Sequence, residues 1–253
     1  MEFFILVFNT ILYKPLFNAL VLIYQYLPGK DFGIAVILLT LMIRFLLYPL
    51  MVKSIRSQKE LAELQPKIQE IQKKYKDDKE KQTKETMELY RKEKINPFGG
   101  CLPFLLQLPI LIALYRVFWS GMKPESMQKL YSFVPNPGVI DPTFLGFINL
   151  GESNFIIAGL AGVAQFFQSK TMLPKTKGQS KEGQMSQFSN MMQKQMLYFF
   201  PIITVVILLN LPSAIGIYWI VTALFSVWQQ QIIMKKGEED KSSSSPQLSQ
   251  TQS

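Results

Sequence analysis

The chain has 253 residues, 48% of them hydrophobic, with a formal charge of +9, one cysteine and no histidine; its pI is about 9.4 and its mean hydropathy +0.14. The apolar residues cluster into windows long enough to span a bilayer, which excludes a soluble globular enzyme. A lone cysteine excludes an intrachain disulfide, and the lack of histidine removes the usual general base and the commonest zinc ligand, so no catalytic residue, metal or cofactor is expected.

Residues 1–31 open with "MEFFILVF", which has neither the basic n-region nor the cleavage site of a signal peptide. "YKPLFNALVLIYQYLPG" then resumes the apolar pattern, with Leu16, Leu20, Tyr24 and Leu27 along one helical face. A sixth span is one reading. The preferred one is an extracytoplasmic interfacial helix, because Lys14-Pro15 divides the stretch into two pieces each too short to cross.

Five spans are predicted next, at 32–52, 98–119, 153–171, 196–211 and 214–234. Only Arg44 interrupts the first. Counted back from Lys53 along a straight helix, Arg44 lies roughly 14 Å deep, near the middle of a hydrocarbon core about 30 Å thick. A guanidinium there costs several kcal/mol, from ~3 to ~10 or more. Its side chain reaches roughly 6–7 Å, too little to snorkel out, so a hydrated cavity is expected around it. The second span follows "NPFGG" and contains Pro103, Gln107 and Pro109. The third, centred on "FIIAGLAGVAQFF", is rich in Gly and Ala, and "NLPS" turns the fourth into the fifth. The third and fourth fall below the ~20 residues of a full crossing, which suggests a locally thinned bilayer.

Segment 53–97 carries 13 basic and 9 acidic residues. Leu61, Leu64, Ile68, Ile71 and Tyr75 recur there at alternating spacings of 3 and 4, an a/d stripe. "KYKDDKEK" ends the stripe, and a more polar helix follows with Met87 and Tyr90 on one side. An antiparallel helical hairpin with a thin seam is predicted, kinked near Pro66 and serving either as a solvated spacer or as a mobile arm. Residues 174–187 read as a flexible loop and 235–253 as a disordered tail.

Lysine and arginine fall unevenly about these spans. Segments 53–97, 170–195 and 235–253 carry 21 of them, against Lys14, Lys30, Lys123 and Lys129 on the other side. The positive-inside rule therefore places the N-terminus outside and the C-terminus in the cytoplasm. The basic charge is mostly a topology signal, and no direct nucleic-acid binding is expected.

Aspartate and glutamate are absent from the five spans. That removes the carboxylate pair of an intramembrane aspartyl protease and the acidic relay of a proton-coupled carrier. No glycine-rich phosphate loop with its lysine is present, so ATP hydrolysis is not expected, and five spans fit poorly with an inverted-repeat transporter. What remains is one deep cation and a set of neutral polar groups. Thr40 lies one turn before Arg44; Gln107, Gln165 and Gln168 sit on the second and third spans; Trp219, Thr222, Ser226 and Gln230 share a face of the fifth. Each alone could be ordinary interhelical glue of about 0.6–2 kcal/mol. Together they would line a hydrated cavity.

"GIAVILLTLMIRFLLYPL", "NPFGGCLPFLLQLPILIALY", "FFQSKTM" and "LPSAIGIYWIVTALFSVWQQ" resemble, in order and spacing, the YidC family of membrane protein insertases. The resemblance covers about residues 15–233. It implies an all-α polytopic protein of the bacterial plasma membrane, with five transmembrane helices around a groove open to cytoplasm and lipid and sealed outside. Segment 53–97 resembles that family's cytoplasmic hairpin, and the chain reads as a short form without a large periplasmic domain. Arg44 would be the positive charge of the groove, with further groove positions at Gln168 and Trp219. The implied function is ATP-independent insertion and folding of nascent membrane proteins, with the ribosome and the Sec translocon as partners. The nearly charge-balanced "KKGEEDK" departs from the long basic tail of several members. Two other classes stay open: an accessory assembly partner of the Sec translocon, and a passive solute or anion pathway.

Overall fold

Two prolines near helix starts shape the first half of the chain. The computed structural model describes residues 2–96, 99, 102–120, 123–172, 191 and 195–243, without the side chains of 120, 124, 196 and 236–243. Helix α1 (Glu2–Phe8), a π-helical turn (Asn9–Tyr13) and α2 (Lys14–Tyr26) follow one another without a gap. Lys14-Pro15 therefore does not divide this stretch. Proline has no N–H to give and needs room against the preceding carbonyl, and the wider π turn just before it provides both. By length and composition Glu2–Tyr26 is now long enough to cross a membrane, so its being too short no longer argues for the interfacial reading.

Pro49 produces the second departure. Helix α3 (Phe32–Leu46) starts at Asp31, whose carboxylate accepts from the Ile34 amide at 2.9 Å. It stops at Leu47, and α4 (Tyr48–Lys74) leaves at an angle of 64°. Pro49 lies in the first turn of α4, where a missing N–H costs nothing. The predicted span 32–52 is thus a bent pair, and Arg44 belongs to the last turn of α3. The depth counted along a straight helix to Lys53 does not hold.

Helix α4 runs unbroken through Pro66, and after the turn at Tyr75–Asp78 comes α5 (Lys79–Lys92), capped by Asp78. The two helices lie side by side: Gln82 Nε2 donates to the Gln72 carbonyl at 3.1 Å, and Lys67 pairs with Glu93 at 2.5 Å. Of the five stripe residues, Leu64 and Ile68 are buried, and α5 buries none.

Helix α6 (Leu102–Ser120) leads into a 3-10 turn (Pro124–Lys129) and a short antiparallel pair, β1 (Thr143–Phe144) with β2 (Ile148–Asn149). Helix α7 (Phe155–Met172) is capped by Asn154, whose side chain accepts from the Ile156 and Ile157 amides. A π turn (Gln195–Phe199) precedes α8 (Phe200–Leu208) and α9 (Ser213–Ser243). The backbone of α9 continues to Ser243, where a disordered tail was predicted from Lys235. Lysine and glutamate are good helix formers and extend a helix that already exists. The loop 174–187 and residues 244–253 lie outside the described residues.

Among the described residues, three helices pass as membrane spans by length and composition, or four if the bent α3–α4 pair is one span. That is fewer than the five predicted after residue 31, and one of the three is Glu2–Tyr26. Leu197–Leu208 is apolar but short, and α7 is diluted by Gln165, Gln168, Ser169 and Lys170.

Close backbone approach holds the later helices together, as expected where lipid offers helices little hydrophobic reason to associate. A Cβ at Gly162 of α7 would collide with Val205 of α8, and one at Gly216 of α9 with Ile157 of α7. On the other flank α2 buries Phe17, Leu20, Val21 and Tyr24. Tyr24 meets Phe32 edge-on at 6.5 Å, and Phe32 meets Phe118 at 6.2 Å, tying α2, α3 and α6 into one core.

Candidate functional site

Val36, Leu39 and Ile43 turn one face of α3 into the core, and Arg44 follows Ile43 into the space between α3, α6 and α9. The arginine is only 6% exposed. Its Nη2 donates to Gln107 Oε1 at 3.1 Å, and Gln107 Nε2 donates in turn to the Tyr218 hydroxyl. The Tyr218 hydroxyl is also an electrostatic neighbour of the guanidinium. One turn earlier Thr40 is buried, with its hydroxyl donating to the Val36 carbonyl at 2.6 Å. The last turn of a helix favours a cation, because its final carbonyls carry the negative end of the macrodipole.

Neutral groups hold this charge. Among the described residues Arg44 makes no ion pair, and no carboxylate lies in α3, α6 or the first six turns of α9. A buried ion pair cancels much of its own field. Hydrogen-bond dipoles stabilise the cation while leaving its net charge in place.

A second group lies one residue further along α9. Trp219 Nε1 donates to Gln165 Oε1 at 2.8 Å, joining α9 to α7. Because Tyr218 and Trp219 are consecutive, α9 sends one side chain to each group. Further along, Gln230 Nε2 donates to the Thr171 carbonyl at 2.8 Å, satisfying an orphan carbonyl in the last turn of α7. Gln229 reaches the Tyr48 carbonyl at 3.3 Å, just past the break between α3 and α4.

The predicted polar residues thus fall into two sets and some outliers. Arg44 and Gln107 meet directly, as do Gln165 and Trp219. Thr222 is buried one turn beyond Tyr218. Ser226 donates to the Thr222 carbonyl of its own helix, and Gln168 accepts from Thr171 through its backbone carbonyl. Tyr218 and Gln229 are the members that reading the sequence missed. Tyr218 stands four residues before Thr222, on the face already marked as polar, but a tyrosine in an apolar span reads as core.

The chain is similar over most of its length to known membrane proteins. The model of the family described as 60Kd inner membrane protein matches residues 22–241. A membrane protein insertase YidC from Fusobacterium nucleatum subsp. nucleatum is 40% identical over 207 residues, covering 82% of this chain and 88% of that protein. Membrane protein insertase MisCA from Bacillus subtilis is 35% identical over 227 residues, covering 87% of this chain and 76% of the relative. A YidC from Magnetococcus marinus is 35% identical over 212 residues, which is 84% of this chain but 34% of that longer protein. Four ordered sequence motifs, a buried arginine at the end of the first core helix and these matches lead to one assignment: the chain belongs to the YidC family of membrane protein insertases.

Proposed function

We propose that this protein inserts and helps fold nascent membrane proteins by presenting Arg44 to the short flank of a substrate that must cross the bilayer. One observation carries the proposal: a buried guanidinium that donates to Gln107 beside Tyr218 and, among the described residues, pairs with no carboxylate. An unneutralised charge in a low-dielectric setting attracts an acidic flank far more strongly than a surface lysine does. The half-buried Gln107, Gln165, Gln168, Trp219 and Ser226, with the buried Thr40 and Thr222, would mark the hydrophilic path along which that flank moves. The apolar segment then leaves sideways into lipid. Its own transfer free energy drives the step, and no ATP is consumed.

The helical hairpin of α4 and α5 would face the cytoplasm together with the C-terminus, as the lysine and arginine asymmetry indicates. Geometry supports an interfacial place for α2. Asn18 bonds Lys129 and Tyr131, Tyr24 bonds Asp141, and Asp31 just beyond the helix bonds Leu145, so α2 is pinned along its length to the segment between α6 and α7. A helix crossing the bilayer would leave that segment behind within a few turns. The bacterial plasma membrane, nascent chains, the ribosome and the Sec translocon complete the proposed setting. Purified protein in otherwise protein-free liposomes should insert a short single-span substrate; failure alone but success with added translocon would make it an accessory partner.

A further inference from the structure

Arg116 is the second arginine within the predicted spans, and the insertion mechanism makes no use of it. It lies near the end of α6 remote from α4 and α5, where Asn9 Oδ1 accepts from its Nη1 at 2.9 Å. Its guanidinium stands 5.7 Å from the Phe8 ring and 5.0 Å from the Tyr13 ring. The Lys129 ammonium flanks the same Tyr13 ring at 5.1 Å. Two cations therefore converge on one tyrosine, and among the described residues neither makes an ion pair. Tyr13 itself is 2% exposed, and its buried hydroxyl has no hydrogen-bond partner. An orphaned buried hydroxyl is costly unless something completes it. Two cations and an unpartnered hydroxyl around one ring suit an anion with acceptor oxygens.

The surroundings say from where it comes. Ile112 and Trp119, on the same side of α6 as Arg116, are 52% and 53% exposed, and Ile11 on the facing π turn is 65% exposed. Arg116 is half-buried beside these residues, so the seam has an exposed apolar rim of the kind that lipid would cover. We infer that the seam between the Asn9–Tyr13 turn and α6 binds the headgroup phosphate of an anionic phospholipid, through Arg116, Lys129 and the Tyr13 hydroxyl, with the acyl chains lying along Ile11 and Ile112. Basic pockets between membrane helices take lipid headgroups in this way. The inference rests on the membrane placement proposed above, which cysteine labelling tests separately.

The test uses the full chain with Trp219 and Trp228 changed to Phe, leaving Trp119 as the sole tryptophan, one turn from Arg116. Its fluorescence is quenched in nanodiscs by brominated phosphatidylglycerol or brominated phosphatidylcholine. The anionic lipid should be preferred, and Arg116→Gln should lower that preference roughly ten-fold, the size of one charge-assisted hydrogen bond. Tyr13→Phe keeps the ring and removes the hydroxyl: it should weaken the preference while leaving the thermal midpoint in phosphatidylcholine unchanged or raised. Arg116→Lys, which keeps the charge, should retain part of the preference and serves if the glutamine variant does not fold. An unchanged preference in both Arg116→Gln and Tyr13→Phe would overturn the assignment. So would displacement of the lipid by inorganic phosphate, which would make this a site for a free anion.

Discussion

Gln107 stands between Arg44 and Tyr218, accepting from the guanidinium at 3.1 Å and donating to the phenol. This relay fixes the side chain of a cation without cancelling its charge. Replacing Gln107 by Glu changes little in size but puts a carboxylate against Arg44. The protein should fold at least as well, because a buried charge gains a partner. Insertion of substrates with acidic flanks should nevertheless fall toward the level of Arg44→Ala. Thermal midpoints measured beside insertion yields check this, and a fully active Gln107→Glu protein would contradict it.

Tyr218→Phe removes one hydrogen bond from the same relay. A loss of about 1 kcal/mol in stability is expected, with a partial fall in insertion as Gln107 loosens. Because the phenol acts through Gln107 on Arg44, the fall should be confined to substrates with an acidic flank. Equal losses on acidic and neutral versions, read from paired insertion assays, would contradict the electrostatic account.

Cysteine labelling decides the topology. In a Cys101-free variant, probes at Glu2 and Asn136 should react from outside and one at Glu80 should not. Glu2, Glu80 and Asn136 are all exposed. A Glu2 probe reached only from the cytoplasm would make Glu2–Tyr26 a crossing helix.

The paired helices α4 and α5 should open more readily than the core, since Leu64 and Ile68 are the buried residues of their seam. Amide exchange over residues 60–92 should be fast beside α6 and α9. Acid should loosen them further. The Lys67 hydrogen bond holds the Glu93 carboxyl below its ordinary value of 4.5. A depressed carboxylate stabilises the folded form above its unfolded value, and that contribution disappears as pH falls through the folded one. Spin-label distances between α4 and α5 should therefore broaden below about pH 4.5, and Glu93→Gln should show the broadened distribution already at neutral pH.

Arg44 was legible in the sequence because a charge inside an apolar run has few explanations. Its neighbour Gln107 stood out as a polar group in an apolar span, although alone it could equally have been interhelical glue. The geometry around them was not legible. Pro49 sits in "LLYPL", where unbroken hydrophobicity hid a 64° bend, although the residue before a proline is biased away from the helical region. Lys14-Pro15 misled in the opposite direction, because a π turn absorbed a proline that periodicity counted as a break. Tyr218 was lost to residue type: its ring packs as core while its hydroxyl serves the arginine. Gln165 and Trp219 were both marked as polar-face residues, yet their contact across α7 and α9 follows from the close approach that Gly216 permits, which no spacing within one helix reveals.

The central claim is that Arg44 acts through its charge, and one measurement addresses it most directly. Arg44→Ala and Arg44→Lys proteins, at equal expression, are each compared with the unchanged protein on acidic-flank and neutral-flank versions of one single-span substrate. Arg44→Lys should retain most insertion, since a point charge at that position suffices. Arg44→Ala should lose about ten-fold or more on the acidic version, as ~1.4 kcal/mol of attraction implies, and little on the neutral one. Equal losses for both versions, with lysine substituting poorly, would show Arg44 to be a structural pin between α3 and α6 and would contradict the electrostatic account.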